Sequence, residues 1–175
     1  MTSIIKPLFA SLAVTVVLAG PAVMAGPMQQ ATFTATVDGN PWKADFALAT
    51  TSTIGTKAVL VISGTSNSGG TISTFNASLP VPASGDYVGT FAIRKGIMGD
   101  VPIANFNMPQ RSTDILEQGF TMAEGEIVIE SFDAAGKTIS GHFSAKGQTR
   151  AKTASMQITD GVFAKVPINP DPTAQ

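Results

Sequence analysis

The chain has 175 residues, of which 43% are hydrophobic and 13% are charged, with 11 Lys and Arg against 12 Asp and Glu. A formal net charge of −1 gives neither an electrostatic footprint for nucleic acid nor a basic stripe for an acidic membrane surface. The absence of cysteine excludes disulfide bonds and the lipid attachment of a bacterial lipoprotein, so stability must come mainly from core burial.

The N-terminal 25 residues have the pattern of a secretory signal peptide. Lys6 precedes the apolar run Leu8–Ala19, and small residues follow at the positions that a signal peptidase reads. As a helix this run would span roughly 18 Å, too short for a hydrocarbon core of about 30 Å. We therefore predict a signal peptide over residues 1–25, cleavage near Gly26, and a periplasmic or secreted bacterial protein without a membrane anchor.

After the leader, short alternating segments separated by turn residues dominate the chain. Ala31–Val37 alternates apolar residues with threonines, which predicts a half-buried strand. The turn sequence Asp38–Pro41 follows, and Trp42–Leu48 then resumes the alternation. In this second strand the parity places Trp42 and Phe46 on the same face.

Three further strands are predicted at Lys57–Ser63, Ile72–Leu79 and Tyr87–Arg94. The first is a continuous apolar run, which favours burial on both faces. The segment Gly96–Gly125 has no clear period, and within it Ser112–Gln118 fits either a short helix or an irregular strand. In the second strand the side chains expected to face inward are Phe75, Ala77 and Leu79.

The clearest strands are Glu126–Phe132, Lys137–Ala145 and Ser155–Val166, of which the first two form a hairpin. Asp160-Gly161 interrupts the third and predicts a bulge. The inward face of the middle strand is expected to carry Ile139, Gly141, Phe143 and Ala145.

These segments predict an all-β fold of about eight or nine strands in one domain over residues 26–166. The predicted architecture is a single antiparallel β-sandwich, with a closed β-barrel as the alternative. The proline-rich end, residues 167–175, is predicted to be a disordered tail.

Two parts of the chain carry a recognisable pattern. The first is Phe33-x-Ala35-x-Val37-Asp38-Gly39-x-x-Trp42, and the second is Ile139-Ser140-Gly141-x-Phe143 with Ile158-Thr159-Asp160-Gly161-x-Phe163. Together they resemble an uncharacterised family of exported bacterial β-rich proteins. The resemblance implies an exported β-sandwich and brings neither an activity nor a site.

His142 is the only histidine, and the alternation places it on the polar face of its strand between Ser140 and Ser144. Each serine lies about 6.6 Å away along the strand, and neither sits on a nucleophile elbow. The pattern is typical of a solvated strand histidine, and a hydrolase that uses His142 as its base is the alternative.

Trp42 and Tyr87 are the only aromatic residues besides phenylalanine. A sugar-binding platform usually presents two or three rings, so a lone tryptophan is more typical of a core position. If the turn at Asp38–Pro41 leaves Trp42 at a sheet end, Trp42 becomes the best candidate for ligand stacking. The candidate ligand-binding residues are therefore Trp42, Tyr87 and His142.

A basic cluster, Lys146, Arg150 and Lys152, lies in the connection between the last two strands. Its simplest interpretation is a solvated hairpin tip, and the alternative is a site for an anion or a lipid headgroup. No cofactor is predicted, and one histidine without cysteine argues against zinc. Calcium stays open, with turn candidates at Asp38, Asn40, Asp100, Asn105 and Asp160.

The function predicted from these patterns is an exported, non-catalytic binding or surface-interaction module, whose partner is a protein, a glycan or a small apolar ligand. One alternative is a carrier of small apolar ligands with a barrel cavity. That cavity would be lined by Phe33, Phe46, Phe91, Ile139 and Phe143. The second alternative is the hydrolase.

Overall fold

The computed structural model describes residues 31–82 and 85–169. The predicted signal peptide and the end of the predicted tail, residues 170–175, lie outside the described residues. The strands are β1 (Thr32–Val37), β2 (Asn40–Lys43), β3 (Phe46–Ile54), β4 (Lys57–Ser68), β5 (Thr71–Pro80), β6 (Gly89–Ala92), β7 (Ile103–Asn107), β8 (Gly119–Asp133), β9 (Thr138–Thr149) and β10 (Ser155–Asn169). A 3-10 turn, Pro109–Arg111, and one helix, α1 (Ile115–Gln118), lie between β7 and β8.

Seven of these strands close into a barrel in the order β10, β3, β4, β5, β7, β8 and β9, and β9 returns to β10. The closing contact is parallel and short: Ile168 pairs with Ala49, and Asn169 pairs with Thr50. The all-β class is confirmed, and the barrel alternative describes this architecture. The sandwich is not shown, because the parallel contact between β10 and β3 closes one continuous sheet on itself.

The remaining strands attach to this wall. β1 pairs with β10 and carries β2 as a hairpin, and β6 pairs with β8 beyond the point where β7 ends. β8 thus changes its neighbour along its length, from β7 at Gly119–Thr121 to β6 at Glu126–Ile129. β10 does the same, pairing with β1 at Ile158–Ala164 and with β3 at Ile168–Asn169.

Bulges let these long strands curve around the core. The pairing of β10 with β9 shifts between Ile158 and Gly161, where Asp160 has a φ of 52°. The bulge predicted at Asp160-Gly161 is confirmed. A Cβ on Gly161 would lie only 2.5 Å from the carbonyl oxygen of Phe143, so this crossing requires glycine.

The barrel interior is filled by phenylalanine rings from different strands. Phe143 on β9 lies with its ring centroid 4.4 Å from that of Phe75 on β5 and 5.3 Å from that of Phe33 on β1. The inward parities predicted for β5 and β9 are confirmed, since their apolar residues are buried. Buried aromatic rings at these spacings stabilise a core by area and by ring geometry.

The predicted strand Trp42–Leu48 is wrong as a single element. The chain bends at Ala44–Asp45, so β3 starts with the opposite parity and buries Ala47 and Ala49. Phe46 is 61% exposed as a result. The five residues predicted to line a carrier cavity therefore do not line one together, because Phe46 points outward.

Other boundaries also differ from the predictions. β6 covers only part of the predicted strand Tyr87–Arg94, and the open segment Ser112–Gln118 contains α1. β10 continues to Asn169, so the first three residues of the predicted tail belong to the domain. None of the helices in the described ranges is long and apolar enough to cross a membrane.

Candidate functional site

Trp42 lies at one end of the barrel, where the β1–β2 hairpin crosses toward the opposite wall. Its indole Nε1 donates a 2.8 Å hydrogen bond to Ser73 Oγ on β5. Its ring makes edge contacts with Phe33 and Phe106, at centroid distances of 5.9 and 5.6 Å. The sequence left open whether Trp42 is a core residue or lies at a sheet end. The half-buried indole does both, because it packs on the core and lies where the sheet ends.

A turn held by side-chain bonding positions this hairpin. Asp38 adopts a φ of 48°, and its Oδ1 accepts a 2.8 Å bond from the backbone N–H of Gln157. In return the N–H of Asp38 donates to the carbonyl oxygen of Gln157 at 2.9 Å. Short polar residues tolerate this left-handed conformation, and the paired bonds fasten the turn to β10.

Two clefts open on either side of Trp42. One has a volume of about 440 Å³ and a mostly polar wall, and the other has a volume of about 250 Å³ and a mostly apolar wall. The polar cleft is lined by Pro41, Trp42, Lys43, Asp45, Ser66, Asn67, Ser68, Thr71 and Ser73. The apolar cleft is lined by Val37, Asp38, Asn40, Pro41, Trp42, Ser73, Phe106, Met108 and Met156.

A third cleft of about 630 Å³ crosses β8, β9 and the start of β10 at the same end of the barrel. We call it the basic groove, after its four cationic residues, which stand against two acidic ones. Its charged lining residues are Lys95, Lys146, Arg150, Lys152, Asp38 and Glu124. The basic groove adjoins the apolar cleft, because Asp38 and Met156 line both.

His142 and Tyr87 lie away from this end and line none of the three clefts. The His142 side chain is 48% exposed on the outer wall, and its Nδ1 lies 3.0 Å from Glu130 Oε1. The ring of Tyr87 packs edge-on against Phe132 at 5.1 Å. The structure thus does not bring the three candidate residues together, and Trp42 alone lies in a cleft.

The residues considered for calcium do not form one cluster, and they make hydrogen bonds or ion pairs with neighbouring protein groups. Asp100 pairs with Lys57, and Asn105 accepts a 2.9 Å hydrogen bond from Asn107. Across residues 31–82 and 85–169, no three His, Cys, Asp or Glu side chains come close enough to hold a metal ion.

Sequence reasoning missed the residues that come to Trp42 from distant strands. Ser73 lies at an inward position of β5, two residues before the buried Phe75, and this polar residue at a core parity was the available signal. The strand predicted at Lys57–Ser63 stopped short of Asn67, but β4 continues through Asn67 to Ser68. Lys95 was missed as well; it lies after the end of β6 and lines the basic groove rather than the clefts beside Trp42.

Comparison with known proteins places the chain in a family without an assigned activity. No curated protein and no solved structure gives a significant match. A family model described as a domain of unknown function, DUF6252, matches residues 29–167, which is most of the chain. The chain therefore belongs to the DUF6252 family of domains of unknown function.

Proposed function

We propose that this protein is an exported, non-catalytic binding module that takes a short glycan at the polar cleft beside Trp42. The observation that carries the proposal is the position of Trp42, a half-buried ring held in a cleft wall and flanked by hydroxyl and amide groups. A sugar ring has an apolar face of C–H groups and an edge of hydroxyls. It therefore suits a cleft that joins an aromatic wall to a few well-placed polar groups.

The framework around Trp42 supports binding without a large rearrangement. The bond to Ser73 fixes the plane of the indole, and the 2.7 Å bond from the N–H of Asn67 to Asp45 Oδ2 fixes the facing wall. Side chains held before the ligand arrives reduce the entropy that binding costs.

The two alternatives have weaker support. A carrier of apolar ligands would use the apolar cleft, whose 250 Å³ is below the roughly 300–1,000 Å³ of typical small-molecule sites. A hydrolase would need a nucleophile beside His142, whose described side-chain bond goes to Glu130. The neighbouring Ser140 Oγ accepts a bond from the N–H of Lys165.

The test uses the fact that Trp42 is the only tryptophan, so its emission reports directly on the cleft. The mature protein is titrated with oligosaccharides of glucose, mannose and N-acetylglucosamine. A saturable change in emission is expected for at least one series. Asn67→Ala should weaken that binding by about fivefold, the equivalent of one hydrogen bond.

The control is Asn169→Ala, an exposed asparagine at the other end of the barrel, which should leave the affinity unchanged. Emission that stays constant with every sugar would overturn the glycan proposal. A change with apolar ligands alone would favour the carrier instead.

A further inference from the structure

An exposed aliphatic pair lies directly beside the basic groove. Ile115 and Leu116 begin α1 and are 77% and 41% exposed. The N–H of Arg150 donates a 3.2 Å bond to the carbonyl oxygen of Leu116, which joins α1 to the β9–β10 turn. We call Ile115 and Leu116 the aliphatic tip. Large exposed apolar side chains next to cations are typical of surfaces that meet a membrane interface.

The cations of the basic groove form no direct ion pair with the described residues. In the described part of the chain, none of Lys95, Lys146, Arg150 and Lys152 has an ion pair within 4 Å. Glu124 stands opposite Lys146 in the β8–β9 register without forming such a pair.

The other nearby acids are engaged in local contacts. Glu117 pairs with Arg111 at 3.4 Å and accepts a hydrogen bond from Thr153. Asp114 accepts a 2.9 Å bond from the N–H of Leu116 at the start of α1. Asp38 is bonded to Gln157. A carboxylate keeps its charge in such bonds, so the excess rests on the groove lining itself, where four cationic residues stand against two acidic ones. The overall charge of −1 conceals this local cationic excess.

We infer that this end of the protein docks on an anionic phospholipid surface, with the basic groove on headgroup phosphates and the aliphatic tip in the interface. The two parts act together, because phosphates attract the cations while the interface removes the exposed aliphatic side chains from water. This proposal does not depend on glycan binding at Trp42, since it uses different residues.

The experiment measures co-sedimentation of the mature protein with phosphatidylglycerol-containing vesicles and with pure phosphatidylcholine vesicles. Binding is expected only to the anionic vesicles, and it should weaken as salt is added. The double variant Arg150→Gln/Lys152→Gln should lose about 10- to 30-fold in binding, since each cation near such a surface contributes about fivefold.

Matched controls separate this surface from the rest of the molecule. Ile115→Ser should weaken binding, whereas Val88→Ser should not, although Val88 is 47% exposed. Val88 directly precedes β6, whose first residue Gly89 pairs with Ile129, whereas the groove lies on β8 at Thr121–Glu124. Lys137→Gln, in the β8–β9 turn, serves as the cation control.

Three outcomes would overturn the inference. They are equal binding to neutral vesicles, equal losses in the control variants, and binding of soluble glycerol phosphate without any binding to vesicles. Trp42→Phe should leave vesicle binding intact, so failure of the glycan proposal and failure of this one are distinguishable.

Discussion

Truncation of Phe143 tests whether the barrel interior is filled or holds space for a ligand. The Phe143 side chain is 2% exposed, and its ring lies within 4.4–6.5 Å, centroid to centroid, of those of Phe75, Phe33 and Phe163. Phe→Ala in a packed core costs about 3–5 kcal/mol, and Phe143→Ala should reach the upper part of that range because three ring contacts are lost. With a urea m-value of about 2 kcal/mol/M, the unfolding midpoint should fall by about 2 M.

The control is Phe46→Ala, the same substitution at a ring that is 61% exposed. This substitution should lower the free energy of unfolding by less than about 1 kcal/mol, because little of the apolar area of Phe46 is buried on folding. Urea unfolding followed by circular dichroism gives both midpoints. Equal shifts for the two variants would refute the inward and outward assignments. A cost below about 2 kcal/mol for Phe143→Ala would indicate a loosely packed interior that suits a carrier.

Three further variants test individual contacts. Gly141→Ala should cost more than about 3 kcal/mol in urea unfolding, because its Cβ would lie 1.9 Å from a backbone oxygen of β8. Ser73→Ala should cost about 1–2 kcal/mol and shift the emission of Trp42, since the N–H of the half-buried indole loses its acceptor. His142→Ala should change the free energy of unfolding by less than about 1 kcal/mol, because its contact with Glu130 is exposed; a larger loss would contradict that placement.

Local pattern was sufficient where a strand stays regular. The alternation in β9 identified Ile139 and Phe143 as buried, and Asp160-Gly161 marked the bulge in β10. The same reasoning failed at Phe46, because period-2 parity holds only until the chain bends. The bend at Ala44–Asp45 is fixed by contacts with other strands, including the 2.8 Å bond from the N–H of Asp45 to the carbonyl oxygen of Thr65.

Closure of the barrel could not be predicted from the sequence, for a related reason. It depends on two residue pairs between the end of β10 and the middle of β3, more than 100 positions apart in the chain. A sandwich and a barrel can have the same strand lengths, alternation and turns, so those features do not separate them. The candidate site was equally hidden, because Trp42 and Ser73 meet only when β2 and β5 are placed across the same barrel end.

The filled interior and the open end are two consequences of the same packing. A seven-stranded barrel has a narrow interior, and the rings of Phe33, Phe75 and Phe143 occupy it. Side chains that close the core at its end cannot be fully covered by another layer of strands, so Trp42 remains half-buried with clefts beside it. The three clefts described above lie at this rim, which is why we place both proposed interactions at the Trp42 end.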